Sequence, residues 1–493
     1  MPKKAAVVGA GIGGLSAALE LRARGFDADL YDKNSYVGGK AGCEQREGFT
    51  FDTGPSLLTM PFVFEKLLER SGLDPAEELP VIKLDIICRY FFSDGTVLDA
   101  FSDRRRLLEE FGLKTSDSGE RVGRFLDHCR KIYDSASGMF LFDTLENVPR
   151  IFREDPLKGI KTILDLDIFR TFHASHERSF SDPKTIQLFD RYATYSGSDP
   201  YKLPATLNIV PHVEYGIGAY VPRKGIRAIP AALSAAAASS GVNIFTGAKV
   251  DRIIHDGVKV TGIEAGGRIK EYDIVVSNAD VNTTYRDLLG GASSNMAARY
   301  ARLEPSSSAI VFYWGIKGIF ERLDVNNIFF SSDYRKEFAQ IFDQGVCPEE
   351  PTVYVNITSK YCPSDAPEGC EAWFVLVNVP YDSGQDWAAE AASVKARALE
   401  VLRRRLGVDV GSRIISEKVM TPADIYEKTL SNRGSIYGIS SNSRMAAYNR
   451  QPNRSGDLKG LYFAGGSAHP GGGMPLVALS GMIASDLVEK YET

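Results

Sequence analysis

One stretch constrains the fold of this chain more than any other: Lys4-Ala-Ala-Val-Val-Gly9-Ala-Gly11-Ile-Gly-Gly14-Leu-Ser-Ala-Ala-Leu19. It reads as an apolar strand, a glycine loop and the start of a helix. Gly9 permits the tight turn out of the strand, Gly11 lets backbone N–H groups approach a phosphate, and Gly14 lets the helix pack closely on the sheet. The helix N-terminus then presents unpaired N–H groups to an anion. A second strand, Asp27-Ala-Asp-Leu-Tyr-Asp32, ends in a carboxylate about 20 residues past the loop, where a ribose diol needs an acceptor. The first 33 residues therefore predict a βαβ unit for a dinucleotide, with Gly9, Gly11 and Gly14 at the pyrophosphate and Asp32 at the ribose.

Beyond this unit the pattern changes several times. Residues 34–62 read as a glycine-rich loop, and residues 63–215 as mostly helical, with Leu and Phe three to four apart and breaks at Pro156, Pro183, Pro200 and Pro204. Pro222 to Gly225 begins a turn, alanine-rich 228–239 predicts a helix, and strands follow over 241–246, 248–254, 258–264 and 269–276. From residue 309 the β-rich apolar runs Ile310–Gly315, Val353–Ile357 and Trp373–Val379 predict a separate sheet. Residues 394–406 form an amphipathic helix pattern whose Arg403, Arg404 and Arg405 suit a solvated C-terminal end. A strand over 461–464, a glycine loop and a helix from Pro475 close the chain. The length allows roughly two or three domains. The expected fold class is α/β, with a Rossmann-type nucleotide domain over 1–65, 218–290 and 440–493 and an interleaved α+β substrate domain over 66–217 and 291–439.

Several function classes are excluded. A net charge of −5 and the lack of any long Lys/Arg block argue against nucleic acid. Cys43, Cys88, Cys129, Cys347, Cys362 and Cys370 are scattered, with no CxxC and no His at zinc-ligand spacing, so they read as free thiols in a reducing cytoplasm and no metal is expected. No run of ~18 apolar residues is present to span a bilayer. The opening Met-Pro-Lys-Lys is read as mature structure, because cleavage after the apolar run would destroy the glycine loop.

Three more glycine motifs carry chemistry. Val37-Gly38-Gly39-Lys40-Ala41-Gly42 follows the second strand, and either Lys40 or its loop amides could meet a phosphate. Phe51-Asp52-Thr-Gly54-Pro55-Ser56 comes next. Near the C-terminus, Phe463-Ala-Gly465-Gly466-Ser-Ala-His469-Pro470-Gly471-Gly472-Gly473-Met474-Pro475 leads into a helix whose N-terminus could stabilise negative charge on a reduced ring. In this order the motifs resemble the FAD-dependent amine-oxidase superfamily, and within it the bacterial-type phytoene desaturases of the carotenoid desaturase and isomerase group. The narrower resemblance is carried by residues 48–55, Tyr195 to Tyr201, Glu214 with Gly218 to Gly225, Ser277-Asn-Ala-Asp280, Pro367-Glu-Gly369 and residues 469–475. One position departs from it: the family's Pro-x-Gly-Gly is here Pro222-Arg-Lys-Gly225.

The resemblance implies non-covalent FAD and desaturation of an acyclic carotenoid, phytoene or a later, hydroxylated one. It places Gly9, Gly11 and Gly14 at the pyrophosphate, Asp32 at the adenosine ribose and Gly39 and Lys40 on the phosphate or ribityl side. Val250 falls where relatives bind adenine through the backbone, and Asp52, Gly54, Pro55, Gly466, Gly473, Met474 and Pro475 fall with the ribityl chain and ring. His469 is the candidate proton acceptor, with Glu214 and Asp199 as further candidates. The alternatives are a carotenoid isomerase or polyene saturase of the same family, a flavin amine oxidase, and a non-catalytic prenyl carrier of the GDP-dissociation-inhibitor type. Expected partners are a lipid-soluble carotenoid, the membrane surface, and quinone or oxygen as electron acceptor. The expected location is cytoplasmic and peripheral at the membrane. Within residues 137–172, Met139, Phe140, Leu141, Phe142, Leu145, Val148, Ile151 and Phe152, with Arg150, Arg153, Lys158 and Lys161 nearby, suit a helix lying in the lipid interface.

Overall fold

The structure, a computed structural model, describes residues 2–147, 153, 166–291, 295–443 and 449–493. Strand Lys4–Val8 is buried from Ala5 onward, as an apolar strand must be when both faces of its sheet are covered. It pairs in parallel with Asp27–Tyr31 on one side and Ile274–Ser277 on the other. Asn243–Phe245 and Leu461–Phe463 complete a five-stranded parallel sheet in the order 243–245, 27–31, 4–8, 274–277, 461–463. Alternate side chains face opposite layers. Ala5, Val7, Ile274 and Val276 pack with helices Ile12–Ala23, Ala228–Ser239 and Met474–Glu492. Ala6, Val8, Val275 and Phe463 pack instead with a three-stranded antiparallel sheet, Val250–His255, Val260–Ala265 and Arg268–Glu271. The fold is α/β.

A seven-stranded sheet runs in the order 414–420, 308–317, 370–379, 353–357, 326–329, 86–91, 97–101. Its pairs are antiparallel except 326–329 with 86–91. Strand Ser308–Lys317 again uses both faces. Ile310, Phe312, Trp314 and Ile316 pack against helix Trp387–Leu406, while Ala309, Val311 and Tyr313 join Phe49, Phe51 and Phe374 on the other side.

The expected elements need four corrections. The region 34–62 is not all loop: Cys43–Arg46 and Phe49–Asp52 form a hairpin, and Leu58–Thr59 pairs with Ala219–Pro222. The region 63–215 holds helices over 62–70, 104–114, 119–140, 172–179 and 183–190, but also strands Val81–Lys83, Ile86–Phe91 and Val97–Phe101. The last two strands are joined through Asp94-Gly95, with Gly95 at φ +86°, a turn signal outweighed by the Leu and Phe spacing on either side. Residues 269–276 split at Tyr272-Asp273, where the chain leaves the antiparallel sheet for the parallel one. The helix expected from 394 begins at Trp387, where Asp386 caps the N–H groups of Ala388 and Ala389.

The expected interfacial helix also changes. The helix ends at Phe140, with Met139 buried and Phe140 packed on Ile132, Ala136 and Leu166, so that apolar face is spent on the interior. Phe142 is 38% exposed and its ring lies 6.3 Å from that of Phe62, itself 40% exposed. Arg153 is exposed, whereas Val148, Arg150, Ile151, Phe152, Lys158 and Lys161 lie outside the described residues. No described helix is long and apolar enough to cross a membrane.

Candidate active site

The first glycine loop is built by close backbone contact. Gly9 leaves its strand at φ +100° and donates its N–H to Tyr31 O at 2.7 Å, while Asn278 Nδ2 donates to Gly9 O at 3.0 Å. A Cβ on Gly14 would stand 1.9 Å from Gly9 O, and one on Gly13 would stand 2.6 Å from Asn278 Oδ1. Gly11 is the N-cap of helix Ile12–Ala23, and no side chain caps its first turn. Those N–H groups are therefore left for a ligand. Asp32 reaches back to the loop, Oδ2 accepting from Ala10 N at 2.7 Å and Oδ1 from Asn34 N at 2.8 Å.

A cavity of about 650 Å³ runs between the five-stranded and seven-stranded sheets. Every residue expected at the cofactor lines it except Gly14 and Asp52. Gly9, Gly11, Asp32 and Val250 line it from the five-stranded side, and Gly39, Lys40, Gly54 and Pro55 continue it. Gly466, Gly473, Met474 and Pro475 bring a second helix start to the same space, since helix Met474–Glu492 has Gly473 as its N-cap and no side-chain cap. Lys40 Nζ donates to Ser435 O at 3.2 Å and Ile436 O at 2.9 Å. Burial pulls this ammonium down to about 8, against the opposing charge of Asp280.

Asp52 supports the site from outside the cavity. Its Oδ2 accepts from Ile226 N at 2.7 Å and its Oδ1 from Arg227 N at 3.2 Å. Arg227 bridges it to Asp365, with Nη1 at 3.1 Å from Asp52 Oδ1 and Nη2 at 2.6 Å from Asp365 Oδ1. Burial raises the Asp52 pKa, and Arg227 works against that rise. The same contacts explain the departure at Pro222-Arg-Lys-Gly225. Gly225 donates to Pro222 O at 3.0 Å with φ +81°, and a Cβ there would meet Asp52 Oδ2 at 2.7 Å. Only the last position of this turn needs glycine.

His469 does not fit the role of proton acceptor. It is not among the residues lining the cavity, and its Nε2–H donates to Asp143 O at 2.9 Å. Burial lowers its pKa to about 4, so it stays neutral at working pH. It ties the C-terminal glycine loop to residue 143. The unfolded chain takes up this proton near the ordinary histidine value of about 6.5, so between those values the unfolded state holds more protons and stability falls as the pH is lowered, by up to about 3 kcal/mol. Thermal unfolding followed from pH 7 to pH 4 should show this loss, and His469→Gln should flatten it; an unaltered slope in the variant would assign the acid loss to other groups. Asp199 also lies outside the cavity lining and accepts from Tyr201 N at 2.9 Å.

Glu214 does line the cavity, and with it Arg191, a residue that no motif singles out. Arg191 Nη2 donates to Tyr90 OH at 2.7 Å and to Glu214 Oε1 at 3.3 Å. Tyr192 OH donates to Glu214 Oε1 at 2.6 Å, and Tyr195 OH donates to Oε2. Nearby, Ser56 and Tyr354 hydroxyls lie 2.6 Å apart, and Tyr354 OH donates to Asn326 Oδ1 at 2.7 Å. Arg191 carries no sequence signal because its burial depends on the seven-stranded sheet. Among the described residues no cluster of His, Cys, Asp and Glu could hold a metal, and all six cysteines are free.

Comparison with known proteins gives this geometry a family. Residues 12–488 match the model for flavin containing amine oxidoreductases. A 1-hydroxycarotenoid 3,4-desaturase from Flavobacterium sp. is 40% identical over 492 residues, covering 99% of each chain. A 4,4'-diapolycopene oxygenase from Methylomonas sp. is 34% identical over 98% of this chain and 97% of its own. Among solved structures, an oxidoreductase from Methanosarcina mazei shares the fold with a TM-score of 0.65 at 17% identity, covering 98% of this chain and 100% of that one. The chain belongs to the flavin containing amine oxidoreductase family and, within it, to the carotenoid desaturase group.

Proposed function

We propose that this FAD-dependent oxidoreductase desaturates an acyclic carotenoid, with a 1-hydroxylated chain as its substrate class and the 3,4 bond as its target. The observation that carries this reading is the single cavity that joins two uncapped helix starts to an apolar wall on the seven-stranded sheet. The five-stranded sheet and its helices, within 1–65, 218–290 and 440–493, form the cofactor domain. The seven-stranded sheet and its helices, within 66–217 and 291–439, form the substrate domain.

FAD fits the residues present. Gly9, Gly11 and the first turn of helix Ile12–Ala23, closely packed through Gly14, would hold the pyrophosphate non-covalently. Asp32 would hold the adenosine ribose, and the backbone of Val250 the adenine. Gly39 and Lys40 would flank the phosphate and ribityl side, and Gly54, Pro55, Gly466 and residues 473–475 would surround the ring. When bound, FAD supplies the hydride acceptor that no side chain can provide. Val311, Ile328, Phe374 and Leu376 line the remaining cavity, exclude water and hold a rod-shaped hydrocarbon in register. An external quinone or oxygen completes turnover.

Asp32→Ala should weaken FAD binding by roughly tenfold to a hundredfold, the effect of losing a charged hydrogen-bond acceptor worth about 1.5–3 kcal/mol. Titration of apoprotein with FAD checks this, and an unchanged Kd would remove Asp32 from the site.

Such a substrate is insoluble in water and must come from lipid. The exposed Phe62 and Phe142 rings lie together and form an apolar pair that can touch a membrane surface from the cytoplasmic side. One assay tests both parts of the proposal: FAD-loaded protein incubated with anionic liposomes carrying acyclic carotenoids, followed by sedimentation and mass analysis. The expected product is two hydrogens lighter than its precursor, and the protein pellets with the liposomes. Products that gain oxygen would make it an oxygenase like its second relative, and wild type remaining in the supernatant would end the membrane reading.

A further inference from the structure

We propose that Arg191 and Glu214 form a specificity site for a neutral hydroxyl at one end of the substrate, a proposal that rests on the carotenoid reading and identifies the side chains that select among such chains. Both residues line the cavity, although Arg191 is only 7% exposed and Glu214 1%. Ile87 and Ile328 line the same space from the seven-stranded sheet, so a charged pair stands in a largely apolar chamber.

A buried ion pair is a poor stability device, because desolvating two charges costs about as much as their attraction returns. Its placement on a cavity wall calls for another reason. The two charges cancel, so neither a carboxylate nor an ammonium end group would meet a net countercharge. A hydroxyl suits both members, since its oxygen can accept from the guanidinium while its proton goes to the carboxylate.

The pair also has unused capacity. Arg191 Nε is buried and has no hydrogen-bond partner. Glu214 accepts from Arg191, Tyr192 and Tyr195, whereas an ionised carboxylate offers about four acceptor positions. The surrounding rings hold the pair in place: the Arg191 guanidinium lies 4.2 Å from the Tyr192 ring centroid. Burial works against its charge, but Tyr90, Tyr192 and Glu214 keep its pKa well above the ordinary arginine value. A hydrocarbon end pushed against this wall would leave the remaining polar groups without water or partner, and that penalty is the source of discrimination.

The test compares two acyclic carotenoids of the same skeleton and conjugation, one with a terminal tertiary hydroxyl and one without, each supplied in liposomes to the FAD-loaded full chain. Wild type should prefer the hydroxylated chain in kcat/KM by tenfold or more. Glu214→Gln, which keeps the shape of the side chain, should shrink that ratio at least tenfold, mainly through KM of the hydroxylated substrate. Arg191→Met/Glu214→Leu removes both charges together, so neither is stranded, and should bring the ratio near one. Flavin content confirms that each variant is folded. Equal use of the two substrates by wild type would overturn the proposal, as would variants that slow both in the same proportion through kcat. Failure of wild type to desaturate either chain would instead defeat the carotenoid reading, and this inference with it.

Discussion

Replacing Gly14 with valine should leave the purified protein without flavin. A Cβ at this position would stand 1.9 Å from Gly9 O, and both groups are backbone held in regular structure, one in the helix and the other at the end of the first strand. Neither can rotate aside, so the helix must lift from the sheet and carry the N–H groups of its first turn with it. Those groups are the proposed pyrophosphate donors, and their displacement should weaken FAD on the order of a hundredfold or more. Gly138 provides the control, because it sits in helix Gly119–Phe140 with nothing within 4 Å of its would-be Cβ. Gly138→Ala should retain full flavin content. The measurement is the flavin-to-protein absorbance ratio after gel filtration, and a wild-type ratio in Gly14→Val would show that the loop does not cradle the cofactor.

Arg227→Met should cost about 3–5 kcal/mol of stability, the range seen when one partner of a buried ion pair is removed. The substitution leaves Asp52 and Asp365 facing each other in the interior, with side chains only 4% and 1% exposed. Asp52 already has a raised pKa from burial, and loss of the cation raises it further. A carboxyl that takes up its proton more readily when folded is destabilising above its folded pKa and less so below it, so the defect should be largest near neutral pH and should narrow in acid. Denaturant unfolding at two pH values checks both size and sign. A variant with the wild-type midpoint at neutral pH would show that the carboxylates find other partners.

The parts of the site that were legible in the sequence are those made by short-range backbone geometry. Gly9, Gly11 and Gly14 announce a loop because the contacts they permit lie within the loop itself. Strands Lys4–Val8 and Leu461–Phe463 were legible because uninterrupted apolar runs suit a parallel sheet covered on both faces. Polar residues were harder. Asp52 and His469 both stand in glycine-rich motifs and look chemical, yet their partners are Ile226, 174 residues away, and Asp143, 326 residues away. No local pattern distinguishes a carboxylate that anchors a turn from one that faces a ligand. Arg191 is the converse, a residue without a motif that becomes notable only when the sheet carrying Tyr90 closes over it. Strands Ile86–Phe91 and Val97–Phe101 were hidden for two reasons: the first is largely buried on both faces, which blurs the two-residue alternation, and the second does alternate but is only five residues long beside a helical Leu and Phe pattern.

The order of strands in the parallel sheet has a consequence for how the protein is made. Lys4–Val8 leaves the ribosome first, but its neighbour Ile274–Ser277 comes much later, and that strand in turn waits for Leu461–Phe463. At roughly 5–20 residues per second, the first glycine loop spends on the order of a minute without the strand that completes its sheet. The second helix start, at Gly473, arrives later still. Retention of flavin by a nascent chain should therefore await synthesis of helix Met474–Glu492, and any product stopped short of that helix should emerge colourless.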